Sequence, residues 1–307
     1  MKKRALSLLM SLVMLVSMLP TTAWAADTTE TTTPTKVNVD FTAQAAGTFL
    51  IAPQFNMEVA SNEAEKFGYT DSVKKGVSAL DVLVKAHEFI FGEDFTKNSS
   101  ADYLEVSSSG FVTKLFATTT TAIGFTLNGA YPHDGTAAPS GGYNGTTVTT
   151  QAVVDNDDLE FFTYQDENHS DNLAWFCQNG VFTDTVTAKP SSAVDVVLKS
   201  TSYKGGYMVR VAEAMHGAGS AVVGAQLAWV NTATGEITDI EHAVTDADGK
   251  VTLTMPADEG TSYLTAYMPA SDIKDGKSPL IMSLTKVVAD KNAPEADPCA
   301  LTSLVID

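Results

Sequence analysis

Hydrophobic and polar positions follow two different periods along the chain. Val37 and Val39 alternate with polar residues, which is typical of a strand, and apolar residues recur at helical spacing over residues 80–91. From about residue 185 the apolar residues form short alternating runs between turn residues, without a long helical period. The pattern predicts a domain with one main helix among short strands over residues 36–184, and an all-β sandwich over residues 185–290.

The main helix has clear start and stop signals. Ser78 can cap its first turn, Asp81 completes a capping-box pattern, and Gly92 is a natural end. One face of this helix is predicted to lie in the core; it consists of Leu80, Leu83, Val84, His87, Ile90 and Phe91. We expect His87 to be a core-edge residue hydrogen-bonded to a carbonyl, because no second metal-ligating residue accompanies it on the helix.

The other alternating runs predict strands. In the first domain they cover residues 103–106, 111–116, 123–127, 148–154 and 159–164. In the second domain they cover residues 194–198, 207–211, 222–230, 237–244, 251–255, 262–267 and 279–288. The Asp-Gly pair at 248–249 predicts a hairpin turn rather than half of a calcium loop.

The first 25 residues have the three parts of a secretory signal. Lys2, Lys3 and Arg4 precede an apolar run over residues 5–19, and Ala23 and Ala25 mark a small-residue cleavage site. The run is shorter than the roughly 20 residues needed to span a bilayer. We therefore expect a secreted, extracellular protein without membrane insertion after signal cleavage, either released or associated with the cell surface. Residues 26–35 read as a solvated linker and residues 291–307 as a C-terminal tail.

The composition is strongly acidic, with 19 Lys and Arg against 37 Asp and Glu. Removal of residues 1–25 takes away three basic residues and no acidic one, which leaves a net charge of −21. Such a polyanion repels nucleic acids and anionic lipid surfaces. We expect an extracellular protein or glycan as partner, and no nucleic acid.

Two cysteines are present, Cys177 and Cys299. A disulfide between them would close a loop of about 120 residues and contribute on the order of 4 kcal/mol. Two unpaired thiols, one of them buried, are the alternative, and the cysteine count leaves both open.

Several motifs of the first domain resemble a known family. They are Ser-Ala-Leu-Asp-Val-Leu-Val at 78–84, Gly-Phe-Thr-Leu-Asn-Gly at 124–129 and Asp-Asp-Leu-Glu-Phe-Phe at 157–162. Residues 36–165 resemble the small bacterial domain related to the C-terminal domain of transcobalamin. The resemblance implies a compact N-terminal α+β domain, with a mixed sheet and one main helix, of a kind that is often exported and sometimes contacts a ligand. It also implies an alternative function, in which the protein carries a corrinoid or another small molecule.

A second resemblance covers residues 190–290. Val-Val-Gly-Ala-Gln-Leu at 222–227, Thr-Asp-Ala-Asp-Gly-Lys-Val-Thr-Leu at 245–253 and Tyr-Leu-Thr-Ala at 263–266 are similar to the prealbumin-like, collagen-adhesin B-type repeats of bacterial surface proteins. This resemblance implies an Ig-like β-sandwich that acts as a rigid spacer.

Candidate contact residues lie mainly in the Gly- and Pro-rich segment 131–145. They are Tyr131, His133, Tyr143 and, further along, Trp175. Aromatic rings bury a large area for little lost entropy, so these residues could bind a partner. They could equally pin the long loop to the domain. A carbohydrate-binding module is a further alternative, with Trp175, Trp229 or the pair Tyr263 and Tyr267 stacking on sugars.

The acidic segment 164–172 offers oxygen ligands at Asp166, Asn168 and Asp171. It lacks the ordered spacing and terminal Glu of a calcium loop, so a solvated loop is favoured and no metal is expected. No serine nucleophile elbow, phosphate loop or zinc-protease motif occurs in the sequence. We therefore predict a binding and adhesion protein that is not an enzyme and uses no cofactor.

Overall fold

A computed structural model describes residues 34–45, 47–73, 76–120, 122–139, 142–165, 168–203, 216–217, 219–282 and 284–294. The predicted signal segment, most of the linker, the strand predicted at 207–211 and most of the tail lie outside the described residues. Strands hold 46% of the described residues and helices 13%, so the fold is β-rich. Among the helices of the described residues, none combines the length and apolar character needed to cross a membrane.

The elements of the first half are β1 (Lys36–Ala45), β2 (Thr48–Phe49), β3 (Gln54–Ala60), α1 (Glu63–Lys66), β4 (Val77–Ser78), α2 (Ala79–Phe91), a 3-10 helix (Gly92–Asp94), α3 (Ser100–Tyr103), β5 (Glu105–Val106), β6 (Val112–Leu115), β7 (Thr118–Thr119), β8 (Ile123–Leu127), β9 (His133–Ala137), β10 (Tyr143–Gly145), β11 (Ala152–Val153) and β12 (Asp158–Thr163).

The elements of the second half are β13 (Asn172–Gln178), β14 (Val181–Phe182), β15 (Thr185–Ala188), β16 (Ala193–Ser202), β17 (Ser220–Ala221), β18 (Gln226–Val230), β19 (Ile237–Val244), β20 (Lys250–Thr254), β21 (Gly260–Tyr267), α4 (Ala270–Lys274), β22 (Leu280–Met282) and β23 (Thr285–Ala289).

The first sheet has the order β2-β1-β12-β8, and β3 also pairs with β1. β1 and β12 are parallel, while β8 is antiparallel to β12. Because side chains alternate along a strand, Phe41 and Phe161 face one side of this sheet, where α2 packs and completes a core. The expected strand at 148–154 is confined to β11, since residues 148–150 form a turn.

Helix α2 begins as the sequence predicts. The Asp81 N–H donates to Ser78 Oγ (3.0 Å), and the Ser78 N–H donates to Asp81 Oδ2 (2.9 Å), which forms a capping box. Asp81 Oδ1 also accepts from the Ala64 N–H at 2.9 Å, so one buried carboxylate ties α1 to α2. Gly92 ends the helix.

The buried face of α2 differs from the prediction in its last turn. Ile90 was expected in the core but is 37% exposed, because the final turn runs beyond the cover of the sheet. Val82 and Ala86 are buried instead, so the first two turns are enclosed on more than one side. Phe91 is partly buried and packs on Tyr103, with ring centroids 4.2 Å apart.

His87 is fully buried and makes two hydrogen bonds. Nδ1 lies 2.8 Å from the Leu83 carbonyl oxygen, and Nε2 accepts from the Phe116 N–H at 3.1 Å. The neutral ring satisfies both partners and stacks on Phe116 at 4.2 Å. Burial lowers the pKa of His87 from 6.5 to about 4. The expected carbonyl contact is present.

We expect the protein to lose stability as the pH falls from about 6.5 to about 4. In this window the unfolded chain protonates His87 while the folded chain does not, so stability is complete above pH 6.5 and decreases below it. The loss for His87 amounts to about 3 kcal/mol. Urea denaturation at several pH values measures it. His87→Gln should show a shallower pH dependence, whereas His242→Gln, at a side chain that is 90% exposed, should match the wild type. An unchanged dependence in His87→Gln would contradict the assignment.

Two further sheets pack face to face in the second half. One contains β14-β13-β16-β17 with β20 and β22, and the other has the order β15-β23-β21-β18-β19. Their facing side chains, among them Phe176, Leu198, Leu227 and Leu264, form a second core. The expected hairpin turn at 246–249 is present, with Gly249 at φ +72° and Asp246 Oδ1 accepting from the Lys250 N–H. The run at 279–288 is divided into β22 and β23.

A seam of polar and apolar contacts joins the first sheet to the sheet that contains β13. Gln44 donates to the Met282 carbonyl (2.8 Å) and accepts from the Met282 N–H (3.3 Å). Glu160, which is fully buried, accepts from the Leu284 N–H at 3.1 Å. A third core, containing Phe162 and Trp175, fills the rest of this seam. The described residues from Pro34 onward belong to one compact unit, and the boundary expected at 184–185 stays a prediction.

Candidate binding site

A cavity of about 350 Å³ opens at the end of the first sheet, and we call it the aromatic pocket. It is lined by Gly110, Phe111, Val112, Ile123, Gly124, Phe125, Tyr131, Pro132, Thr146, Thr147, Val148, Phe161, Tyr164, His169 and Tyr203. Most of these side chains are apolar or aromatic, and the polar atoms come mainly from tyrosine and threonine hydroxyls and one imidazole. This combination is typical of small-ligand sites.

One wall of the pocket is a cluster of four rings. The Tyr131 and Tyr164 hydroxyl groups lie 3.1 Å apart and share a hydrogen bond. His169 stacks on Tyr203, with centroids 4.5 Å apart, and meets Tyr164 edge to face at 4.4 Å. Because each ring is held by another ring, the wall is already formed without a ligand.

The Tyr164 hydroxyl of this wall remains protonated over the physiological range. Burial raises the pKa of Tyr164 well above its ordinary value, and the neighbouring Tyr131 adds to the effect. Tyr131 is 3% exposed and Tyr164 is 6% exposed. The pair therefore offers neutral hydrogen-bonding groups, and the pocket suits a neutral ring with an apolar face.

Phe111 forms the outer edge of the pocket and is 62% exposed. A tight turn before it sets its position: the Gly110 N–H donates to the Ser107 carbonyl, and the Phe111 N–H donates to Ser107 Oγ at 3.0 Å. Gly110 has φ +82°, and a Cβ there would overlap the hydroxyl groups of Thr147 and Thr149. Glycine thus permits the close approach that places Phe111 at the mouth.

Gly110→Ala is expected to destabilise the protein more than Gly135→Ala. Both glycines have positive φ, but a Cβ at Gly135 would meet nothing within 4 Å. Backbone strain alone should cost about 1–2 kcal/mol at Gly135. The overlap with the Thr147 and Thr149 hydroxyls should add at least about 1 kcal/mol at Gly110. Thermal denaturation of both variants measures the difference, and equal losses would show that the contact is unimportant.

The four predicted contact residues fall into three places. Tyr131 lines the aromatic pocket. His133 and Tyr143 are partly buried and stack on each other at 4.7 Å, so they brace the β9–β10 hairpin beside the pocket. Trp175 is 1% exposed, lies in the third core and borders another cavity, of about 460 Å³, so its ring is not part of the outer surface.

Sequence analysis did not assign a binding role to Phe111, Tyr164, His169 or Tyr203. For Tyr164 the period of the strand holds a usable signal, since Phe162 and Tyr164 both lie opposite to Phe161. The sequence holds no such signal for Phe111, His169 and Tyr203. These residues come together only through contacts between segments that are distant in the chain.

In the acidic segment 164–172, which contains the candidate metal ligands, a hydrogen bond to a buried carboxylate bridges the two ends. Asp171 is fully buried, and its Oδ1 accepts from the Gln165 N–H at 2.9 Å. Asn168 is exposed, and Asp166 lies outside the described residues. Within the part of the chain that the structure describes, no group of three or more His, Cys, Asp or Glu is placed to hold a metal ion.

Cys177 is buried on β13, and burial raises the pKa of its thiol. Cys299 lies outside the described residues, so a disulfide between the two stays a prediction.

No protein-family model matches the chain. No curated protein is significantly similar to it either.

Proposed function

We propose that this protein is a secreted bacterial binding and adhesion protein, not an enzyme, which recognises an extracellular glycan or protein through the aromatic pocket. The observation that carries the proposal is the pocket itself: a cavity of about 350 Å³ with a pre-formed wall of four rings and an exposed phenylalanine at its mouth.

The chemistry of the pocket favours one sugar ring or one aromatic side chain. Either ligand presents a flat apolar face that can stack on Phe111 or Tyr203, and polar edges that can meet the tyrosine hydroxyls or His169. The strongly acidic surface favours neutral or cationic partners over nucleic acids and anionic lipids.

In the proposed layout, the N-terminal part of the chain recognises the ligand and the C-terminal part is a rigid spacer. The first sheet with α2 would be the α+β domain that resembles the transcobalamin-related family. The two facing sheets would be the prealbumin-like, Ig-like spacer. The capping box of α2 and the single core between the facing sheets support this assignment, and residues 1–25 would direct export.

A glycan has a second candidate position on the spacer. Trp229 and Tyr263, which are both partly exposed, border a shallow cleft of about 280 Å³ together with Asn231, Thr232 and Ser262. An aromatic pair beside small polar groups suits sugar stacking. The corrinoid alternative is less well supported, because a corrin macrocycle is much larger than the aromatic pocket.

Arrays test the proposal. The purified protein is applied to a glycan array and to an array of extracellular matrix proteins, beside Phe111→Ala and Trp229→Ala. We expect selective signals that disappear in Phe111→Ala and persist in Trp229→Ala. Loss only in Trp229→Ala would move the site to the second cleft. Silence on both arrays would contradict recognition of glycans and matrix proteins.

A further inference from the structure

A second cavity, of about 460 Å³, lies where β1 and β12 approach the segment around β14, β15 and β23. Three aspartates, Asp40, Asp158 and Asp184, line it, and Lys286 is the one basic side chain among its described lining residues. We call it the acidic cavity. It shares no lining residue with the aromatic pocket.

Strand pairing brings two of the three carboxylates together. Asp40 on β1 is the direct register partner of Asp158 on the parallel strand β12, so both side chains leave the same face of the sheet. Like charges at paired positions repel each other. Burial raises the pKa of Asp158 well above its usual value, and the carboxylates of Glu160, Asp40 and Asp184 raise it further. Three carboxyl groups face one lysine in this cavity, and a bound cation would favour the charged form of Asp158.

An independent feature points to a ligand. Thr42 lies two residues after Asp40 on the same face of β1, is only 3% exposed and lines the cavity. Its Oγ1 atom has no hydrogen-bond partner among the described residues. A buried hydroxyl without a partner costs free energy, which a donor group inside the cavity would recover.

The cavity also has an aromatic side. Phe55 and Tyr263 stack with ring centroids 4.7 Å apart, and both line the cavity. An aromatic face attracts a cation and also covers the methylene groups of an alkyl chain. Carboxylates, a hydroxyl acceptor and an aromatic face together match an ammonium group on an aliphatic stem.

We propose that the acidic cavity binds the ammonium group of an aliphatic amine, with Asp158, Asp184 and Thr42 as acceptors and the Phe55–Tyr263 pair against the alkyl stem. The amine is either a free metabolite or a lysine side chain of a partner protein. This site is independent of recognition through the aromatic pocket.

Isothermal titration of the purified protein at constant ionic strength tests the proposal. The probes are n-pentylamine, a lysine tripeptide with blocked ends, the neutral analogue 1-pentanol and CaCl₂. We expect one molecule of either amine to bind, and 1-pentanol not to bind. Tighter binding of the tripeptide would indicate a protein partner, and tighter binding of n-pentylamine a free amine. Binding of Ca²⁺ without binding of either amine would overturn the proposal.

Three variants locate the site. Asp184→Asn should weaken amine binding about tenfold or more, because a hydrogen bond to a charged group is lost. Asp248→Asn removes the same charge from a remote exposed turn and should bind as the wild type does. Thr42→Val should weaken binding while the melting temperature is maintained or rises, since the free protein loses an unpaired hydroxyl. Equal affinities in the wild type, Asp184→Asn and Thr42→Val would refute the assignment.

Discussion

Replacing Trp175 with alanine is expected to lower the free energy of unfolding by about 3–5 kcal/mol. The indole is 1% exposed and lies in the seam between the first sheet and β13. It packs in the same core as Tyr131 and Leu173, and its ring lies 4.7 Å from that of His216. Alanine would leave a cavity that these neighbours cannot fill, because Leu173 is fixed on β13 and the Tyr131 ring is held by its hydrogen bond with Tyr164.

Urea denaturation at pH 7 measures this loss. Phe89→Ala is the matched control, since it also removes a large ring but from a position that is 64% exposed. The control should change stability by no more than about 0.5 kcal/mol. A small effect of Trp175→Ala, similar to that of Phe89→Ala, would show that the indole is not buried in the seam. Because Trp175→Ala destabilises the fold, a loss of ligand binding in this variant would not by itself show that the indole contacts the ligand.

Replacing Phe161 with alanine should also cost about 3–5 kcal/mol. Phe161 is fully buried in the first core, stacked on Phe125 at 5.1 Å and tilted against Phe41 at 5.7 Å. These three rings come from β12, β8 and β1, so their packing holds the centre of the first sheet together. Loss of the ring would also open the inner side of the aromatic pocket, which Phe161 lines.

Phe111→Ala provides the comparison for Phe161→Ala, because the two rings border the same pocket but differ in burial. Thermal and urea unfolding should place Phe111→Ala within about 0.5 kcal/mol of the wild type. If both variants lost the same free energy of unfolding, then either Phe161 would not be buried in the first core or Phe111 would not be exposed.

Local signals predicted the local structure. The Ser78 cap, Asp81 and Gly92 set the bounds of α2, because capping involves residues within one turn. The Asp-Gly turn at 248–249 was predictable for the same reason. The apolar run at 173–177 was not interpreted as a strand. It is covered on both faces, and a strand buried on both faces shows no alternation.

Long-range contacts could not be predicted. Asp40 and Asp158 are far apart in sequence and adjacent in space only because β1 and β12 are parallel neighbours. Similarly, aromatic content alone does not distinguish Trp175 in the core from Phe111 at a pocket mouth. The exposure of each ring depends on which strand covers it, and that pairing is decided by the whole fold.

The most direct test of recognition through the aromatic pocket is an affinity measurement with the strongest array ligand. Isothermal titration compares the wild type with Phe111→Ala and with Val181→Ala, which changes an exposed side chain on β14 outside the pocket lining. We predict that Phe111→Ala weakens binding about tenfold or more, the usual effect of losing an aromatic contact worth more than about 1.4 kcal/mol, and that Val181→Ala has no effect. Equal affinities of all three proteins would contradict the proposed site.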